Sequence, residues 1–227
     1  DNKLFVSHKT DATYLVVNKD KCFANKSGIY NFSEVYDTEN FPKNQVISKY
    51  MSLETQISKQ KGIYVITYGY SGVGKTFTLF GSNGKQGILQ STLNNIKDSG
   101  NVYMRIYELY GHGIEYSYYW GSNISQKLFH YKLKLTKKGF NISDIFETDN
   151  IDEYYKDGEY FEVEKDRVEF AFKSFSSLID NLDEIRKSAG RITITPNNPE
   201  SSRSIIVYDI QVQTTKKKVP FVIIDLP

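Results

Sequence analysis

With 227 residues, 39% of them hydrophobic and 25% charged, the chain has ordinary globular composition and the length for one sizeable α/β core, which excludes a disordered or fibrous protein. Its 29 basic and 27 acidic residues nearly cancel, leaving no electrostatic footprint for nucleic acid or an anionic membrane surface. Cys22 is the single cysteine, so an internal disulfide and a thiol-metal cluster are excluded and a reducing, cytoplasmic setting is expected.

Short β-branched and aromatic runs at Thr13–Val17 and Gly28–Tyr36 read as strands. Val46, Tyr50, Leu53 and Ile57 recur at helical spacing as far as Lys61-Gly62, the pattern of a helix of about four turns. Ile63 to Tyr68 is a continuous apolar and aromatic run ending at Gly69, and is expected to be a strand buried on both faces. Leu89, Leu93 and Ile96 mark a short helix, after which Val102, Met104 and Ile106 alternate with Tyr103, Arg105 and Tyr107 as in a two-faced strand.

From Tyr110 to Tyr160 the chain is rich in Tyr, Lys, Asp and Gly without a sustained period, and reads as an irregular insertion at about 110–160 with short strands. His112 and His130 have no ligand cluster beside them and are expected in solvent. Tyr116 to Trp120 reads as a folded strand rather than a stacking platform for nucleic acid. Phe161 and Val163, then Val168, Phe170 and Phe172, alternate about Lys165-Asp166 and suggest a hairpin. Ser177 to Asp180 has the capping-box spacing, ahead of a helix with Leu178, Leu182 and Ile185 as its buried stripe. Ile206, Tyr208, Ile210 and Val212 form one face of a long strand, Thr214 to Lys218 a charged turn, and Val219 to Ile224 the returning strand. Strands and helices in this alternation predict one three-layer α/β domain over residues 1–227, with a mostly parallel or mixed and largely buried sheet.

Between the apolar strand and the next helix, Gly69-Tyr70-Ser71-Gly72-Val73-Gly74-Lys75-Thr76 satisfies the G-x-x-x-x-G-K-[ST] pattern. Glycines at this spacing let successive amides turn toward phosphate oxygens at the positive end of the following helix. In that pattern Lys75 reaches the β- and γ-phosphates and the Thr76 hydroxyl takes Mg²⁺. A nucleoside triphosphate site follows from the spacing, and the reaction does not.

The flanking residues narrow it. Tyr68-Gly69 through Phe77-Thr78-Leu79-Phe80-Gly81 resembles the phosphate loop of kinesin motor domains, while Phe32, Val35 and Tyr36 resemble that family's upstream strand and Gln45 the start of its first long helix. Asn198-Pro199-Glu200-Ser201-Ser202-Arg203-Ser204 is similar to kinesin switch I, and Asp225-Leu226-Pro227 to the start of switch II. The resemblance implies ATP or ADP and Mg²⁺ as ligands, held by the loop from Gly69 to Thr76. Ser202 would complete the metal shell, Asn198 and Ser201 would position the γ-phosphate and the water, Asp225 would hold Mg²⁺ through a water, and Phe77 would lie against the adenine. It further implies a Mg-dependent ATPase working by positioning and electrostatic stabilisation of in-line attack. In the complete protein that activity would be coupled to microtubule binding and movement, at the cytoskeleton, with homo- or hetero-dimerisation left to segments outside this chain.

Some residues depart from the family pattern. Ile205 stands where switch I ends in histidine, Tyr70 replaces a glutamine, and the family's Arg-x-Arg-Pro strand is not found. The chain opens on Asp1 and stops at Pro227 just after an apolar strand, and so reads as a fragment. In the family Arg203 would pair with a switch II glutamate, and the track-binding helices follow switch II; both would lie beyond Pro227. The alternative reading is a non-motile kinesin-homology module with weak or no hydrolysis. The related myosin site fits less well, because its switch I continues Ser-Ser-Arg-Phe-Gly.

Overall fold

A computed structural model describes residues 5–9, 12–17, 28–32, 53–69, 74–82, 85–95, 100–111, 127–148, 159–173, 175–195, 198–202 and 204–227. In chain order the elements begin with β1 (Phe5–Lys9), β2 (Ala12–Val17) and β3 (Gly28–Phe32), which form a three-stranded antiparallel sheet of their own. Next come α1 (Leu53–Ser58), β4 (Ile63–Thr67), α2 (Lys75–Phe80), the short pair β5 (Gly81–Ser82) and β6 (Lys85–Gln86), and α3 (Ile88–Asn95). Then follow β7 (Val102–Tyr110), β8 (Lys127–Thr136), β9 (Gly139–Thr148), β10 (Phe161–Val163), a 3₁₀ turn at Lys165–Arg167, α4 (Val168–Lys173) and α5 (Phe175–Ser188). The chain closes with β11 (Ile192–Thr195), β12 (Asn198–Ser202), β13 (Ser204–Gln213) and β14 (Lys218–Asp225).

The central sheet has seven strands in the order β4-β14-β13-β7-β8-β9, with β10 beside the first half of β7. Among the described residues of this sheet only the β4–β14 pair is parallel; the other pairings are antiparallel. This is the mixed α/β sheet expected. Its helix-facing side carries Val102, Met104, Ile106, Tyr208, Ile210, Phe221 and Ile223, all buried, because strand side chains alternate between faces. Helices α1 to α5 gather on that side and join one apolar cluster with the sheet. At its centre the rings of Phe80 and Tyr208 lie 4.6 Å apart, Phe140 and Phe172 5.3 Å, and Phe172 and Phe175 5.5 Å. Each such buried side chain contributes roughly 1.5–3 kcal/mol by area.

Several expectations are corrected. The apolar strand β4 is covered on one face only: Tyr64 is 66% and Ile66 60% exposed, opposite buried Ile63. The 110–160 stretch is not irregular throughout, since its residues 127–148 form two ten-residue strands that extend the central sheet. Leu133, Leu135, Phe140 and Ile142 supply the inner face there. Val168 to Phe172 is helical rather than half of a hairpin, because Val168, Ala171 and Phe172 meet the core at the three- and four-residue spacing of a helix. Ser177 lies inside the first turn of α5, which starts at Phe175, so it is not the cap. His130 is 3% exposed on β8, not solvated. Val46, Tyr50, Ile96, His112 and Tyr116 to Trp120 lie outside the described residues.

Gly87 shows why one glycine is needed. A Cβ there would sit 2.3 Å from the Leu79 carbonyl oxygen and 2.4 Å from the Phe80 nitrogen. The start of α3 thus rests directly on the backbone at the end of α2.

Candidate nucleotide site

The parallel pairing of β4 with β14 brings Thr67 opposite Asp225 at the carboxyl ends of both strands. That is where open α/β sheets place ligands. The Thr67 hydroxyl donates to Asp225 Oδ1 at 2.7 Å. Gly69 follows β4 with φ 146°, and Gly74 caps the start of α2 with φ 93°. Both values lie in the region glycine tolerates best. Tyr70, Ser71, Gly72 and Val73 are outside the described residues. Lys75, the first residue of α2, folds back so that Nζ donates to the Gly69 carbonyl at 2.7 Å. Its ammonium therefore sits just past the carboxyl end of β4. Thr76 is exposed and Phe77 half-buried on α2.

Burial pushes the Asp225 carboxyl above its ordinary pKa, against the Thr67 hydrogen bond and the charges of Lys75 and Arg186. Burial likewise raises Asp183 on α5, whose Oδ1 accepts from Arg186 Nη1 at 2.9 Å, and the charge of Asp225 adds to that rise. A carboxylate partly short of compensation, beside an ammonium and an exposed hydroxyl, is a donor set suited to a magnesium–phosphate ligand. Among the described residues no group of three or more His, Cys, Asp or Glu could hold a metal.

The segment expected to act as switch I is a two-stranded hairpin. In it Ile192 pairs with Ser202, Thr193 with Ser201 and Thr195 with Asn198, with a register shift between Thr193 and Thr195. It leads into β13, where Ile206 pairs with Asp225. The backbone of β12 thus leads into the sheet at the end where β14 carries Asp225. Arg203 is outside the described residues. Ile205, in place of histidine, is a strand residue paired with Leu109.

Beneath the hairpin lies a polar cluster that motif reading passed over. Glu108 on β7 is completely buried and accepts from Arg186 Nε and Arg191 Nε, both at 2.9 Å. The hydroxyls of Ser204 and Tyr131 also donate to it. Arg186 Nη2 reaches Ser204 Oγ at 2.8 Å, and Arg191 Nη2 reaches the Tyr131 hydroxyl at 3.0 Å. Burial works to raise the Glu108 pKa, but the guanidinium groups and the two hydroxyls outweigh it and hold it below the usual carboxylate value. The sequence did carry a signal: Glu108 follows Val102, Met104 and Ile106 on the buried side of an alternating strand, where a carboxylate requires cationic partners.

On the other side of the sheet Arg105 pairs with Asp209 at 2.7 Å, and the Tyr160 hydroxyl donates to the same carboxylate at 2.6 Å. A cavity of about 90 Å³ beside it is lined by Met104, His130, Lys132, Glu159 and Tyr160 among others. Burial, with Arg105 and Lys132 nearby, lowers the His130 pKa to about 4.

The sequence model of the kinesin motor domain matches residues 2–222. An uncharacterized protein of Acanthamoeba polyphaga mimivirus is 29% identical over an alignment covering 89% of this chain and 9% of that protein. Among solved structures, a fast kinesin superposes with TM-score 0.53 at 15% identity, covering 98% of this chain and 58% of the other. A KIF14 dimer with AMP-PNP on a microtubule gives 0.52 at 12%, covering 98% and 62%. The Kar3 motor domain of Candida glabrata gives 0.50 at 15%, covering 98% and 65%. The chain thus spans under two thirds of each of these motor structures and less than a tenth of the viral protein. Among the described residues no helix is long and apolar enough to cross a membrane.

Proposed function

Because the chain belongs to the kinesin motor domain family, we propose that it is the ATP-binding part of a kinesin-type motor that, in the complete protein, hydrolyses ATP and acts on microtubules. The observation that carries this reading is the meeting of Lys75, Gly69, Thr67 and Asp225 at one end of a parallel strand pair. The backbone from Gly69 to Thr76 would cradle the phosphates, and the Lys75 ammonium would exchange the Gly69 carbonyl for phosphate oxygens. Thr76, Ser202 and Asp225 would hold Mg²⁺, which supplies neutralisation of charge on the transferring phosphoryl group. Asn198 and Ser201 would orient the attacking water, and Arg203 would tie the hairpin to switch II. Phe77 would lie against the adenine.

Microtubules as partner rest on the family and on the likeness to a KIF14 dimer solved on a microtubule with AMP-PNP. ATP turnover of the complete protein, with and without microtubules, tests the proposal. Stimulated turnover is expected. Nucleotide binding with no turnover in either condition would instead favour a non-motile module, a reading for which the half-buried strand residue Ile205 speaks, since it lacks the polar ring of histidine.

A further inference from the structure

The hairpin β11–β12 is a two-stranded sheet apart from the central one, and an isolated two-stranded hairpin is marginally stable in water. Beyond the packing of β11 against α5, it is held at both ends. Arg191 immediately precedes β11, and Ser204, the first residue of β13, follows β12 after Arg203. Both side chains converge on Glu108: Arg191 through Nε to Oε2 at 2.9 Å, Ser204 through its hydroxyl to Oε1. Arg186 braces the same place, donating to Glu108 Oε1 at 2.9 Å and to Ser204 Oγ at 2.8 Å. A carboxylate offers about four lone-pair sites, and Arg186, Arg191, Ser204 and Tyr131 all donate to this one. Charge-assisted bonds in a dry environment are short and strong, so the clamp holds both ends of the hairpin firmly.

We infer that Glu108 is a positioning residue that clamps both ends of the 192–202 hairpin and so fixes where Asn198, Ser201 and Ser202 stand toward the γ-phosphate. The consequence for turnover rests on the kinesin-type reading; the clamp itself does not.

The test compares Ser204→Ala with Tyr160→Phe in the complete protein. Each removes one hydroxyl donated to a carboxylate of the sheet, but Tyr160 serves Asp209 at 2.6 Å, away from the hairpin. Amide hydrogen exchange over residues 192–202, measured without nucleotide, should quicken about five- to tenfold in Ser204→Ala and stay at the wild-type rate in Tyr160→Phe. ATP turnover should fall about tenfold or more in Ser204→Ala, with ADP affinity within about twofold of wild type. Unchanged exchange in Ser204→Ala, or equal quickening in both variants, overturns the clamp. Quickened exchange with wild-type turnover overturns its positioning role. A wild-type protein that binds no nucleotide defeats the kinesin-type reading alone, and the exchange measurement still decides the clamp.

Discussion

Thr67 and Asp225 are 158 positions apart in the chain and are joined by a hydrogen bond of 2.7 Å at the carboxyl ends of two parallel strands. The threonine hydroxyl favours the ionised form of a carboxyl that burial otherwise pushes up. Removing it in Thr67→Val should raise the Asp225 pKa further, so that magnesium binding requires a higher pH. The Mg²⁺-dependent part of nucleotide affinity should weaken by about 1 kcal/mol, roughly fivefold, while ADP binding in a chelator stays unchanged. Paired titrations with and without Mg²⁺ check this.

Glu108 pairs with two buried guanidinium groups at 2.9 Å each, one of them shared with Asp183. Glu108→Ala leaves Arg191 without its carboxylate partner and Arg186 with Asp183 alone, and breaking a buried pair in this way costs about 3–5 kcal/mol. Thermal melting should show a fall large enough to leave little folded protein at 37 °C, in contrast to the folded Ser204→Ala variant.

Gly87→Ala should destabilise without touching the nucleotide site. The added methyl would lie 2.3 Å from the Leu79 carbonyl oxygen, an overlap that only backbone movement relieves. A cost of about 1–3 kcal/mol is expected, read as a lower melting temperature with unaltered nucleotide stoichiometry.

His130 is kept neutral in the fold, its pKa lowered to about 4 from 6.5 by burial and by Arg105 and Lys132, with Glu159 opposing. The unfolded chain therefore binds the extra proton first on acidification. Stability from this residue is fully present above pH about 6.5 and is lost as pH falls toward 4. Melting temperatures across that window should decline less steeply in His130→Gln than in wild type.

The strand ending before Gly69 and the helix starting at Lys75 were legible because glycine and lysine punctuate the chain there, and β13 and β14 because their β-branched alternation is long. Other parts were not. Nothing in Ile63 to Tyr68 says whether a second layer covers Tyr64 and Ile66, so an apolar run reads as doubly buried when one face is open. In β8 the inner residues Leu133 and Leu135 are interleaved with Lys132 and Lys134, which makes a sheet strand look like a solvated insertion. Val168, Phe170 and Phe172 fit a two-residue period as well as Val168, Ala171 and Phe172 fit a helical one, and six residues are too few to decide. The clamp on Glu108 joins residues from four separate segments, a convergence that only the fold makes visible.

On the proposed reading Gly69 to Thr76 holds a nucleotide, with Lys75 as its cationic contact. Calorimetric titration of the complete protein with Mg-ADP, wild type beside Lys75→Ala, tests it most directly. One nucleotide should bind per wild-type chain, with an affinity about ten- to a hundredfold lower in Lys75→Ala and the melting temperature of the free protein little changed. No binding by the wild type, or equal binding by both proteins, would contradict it.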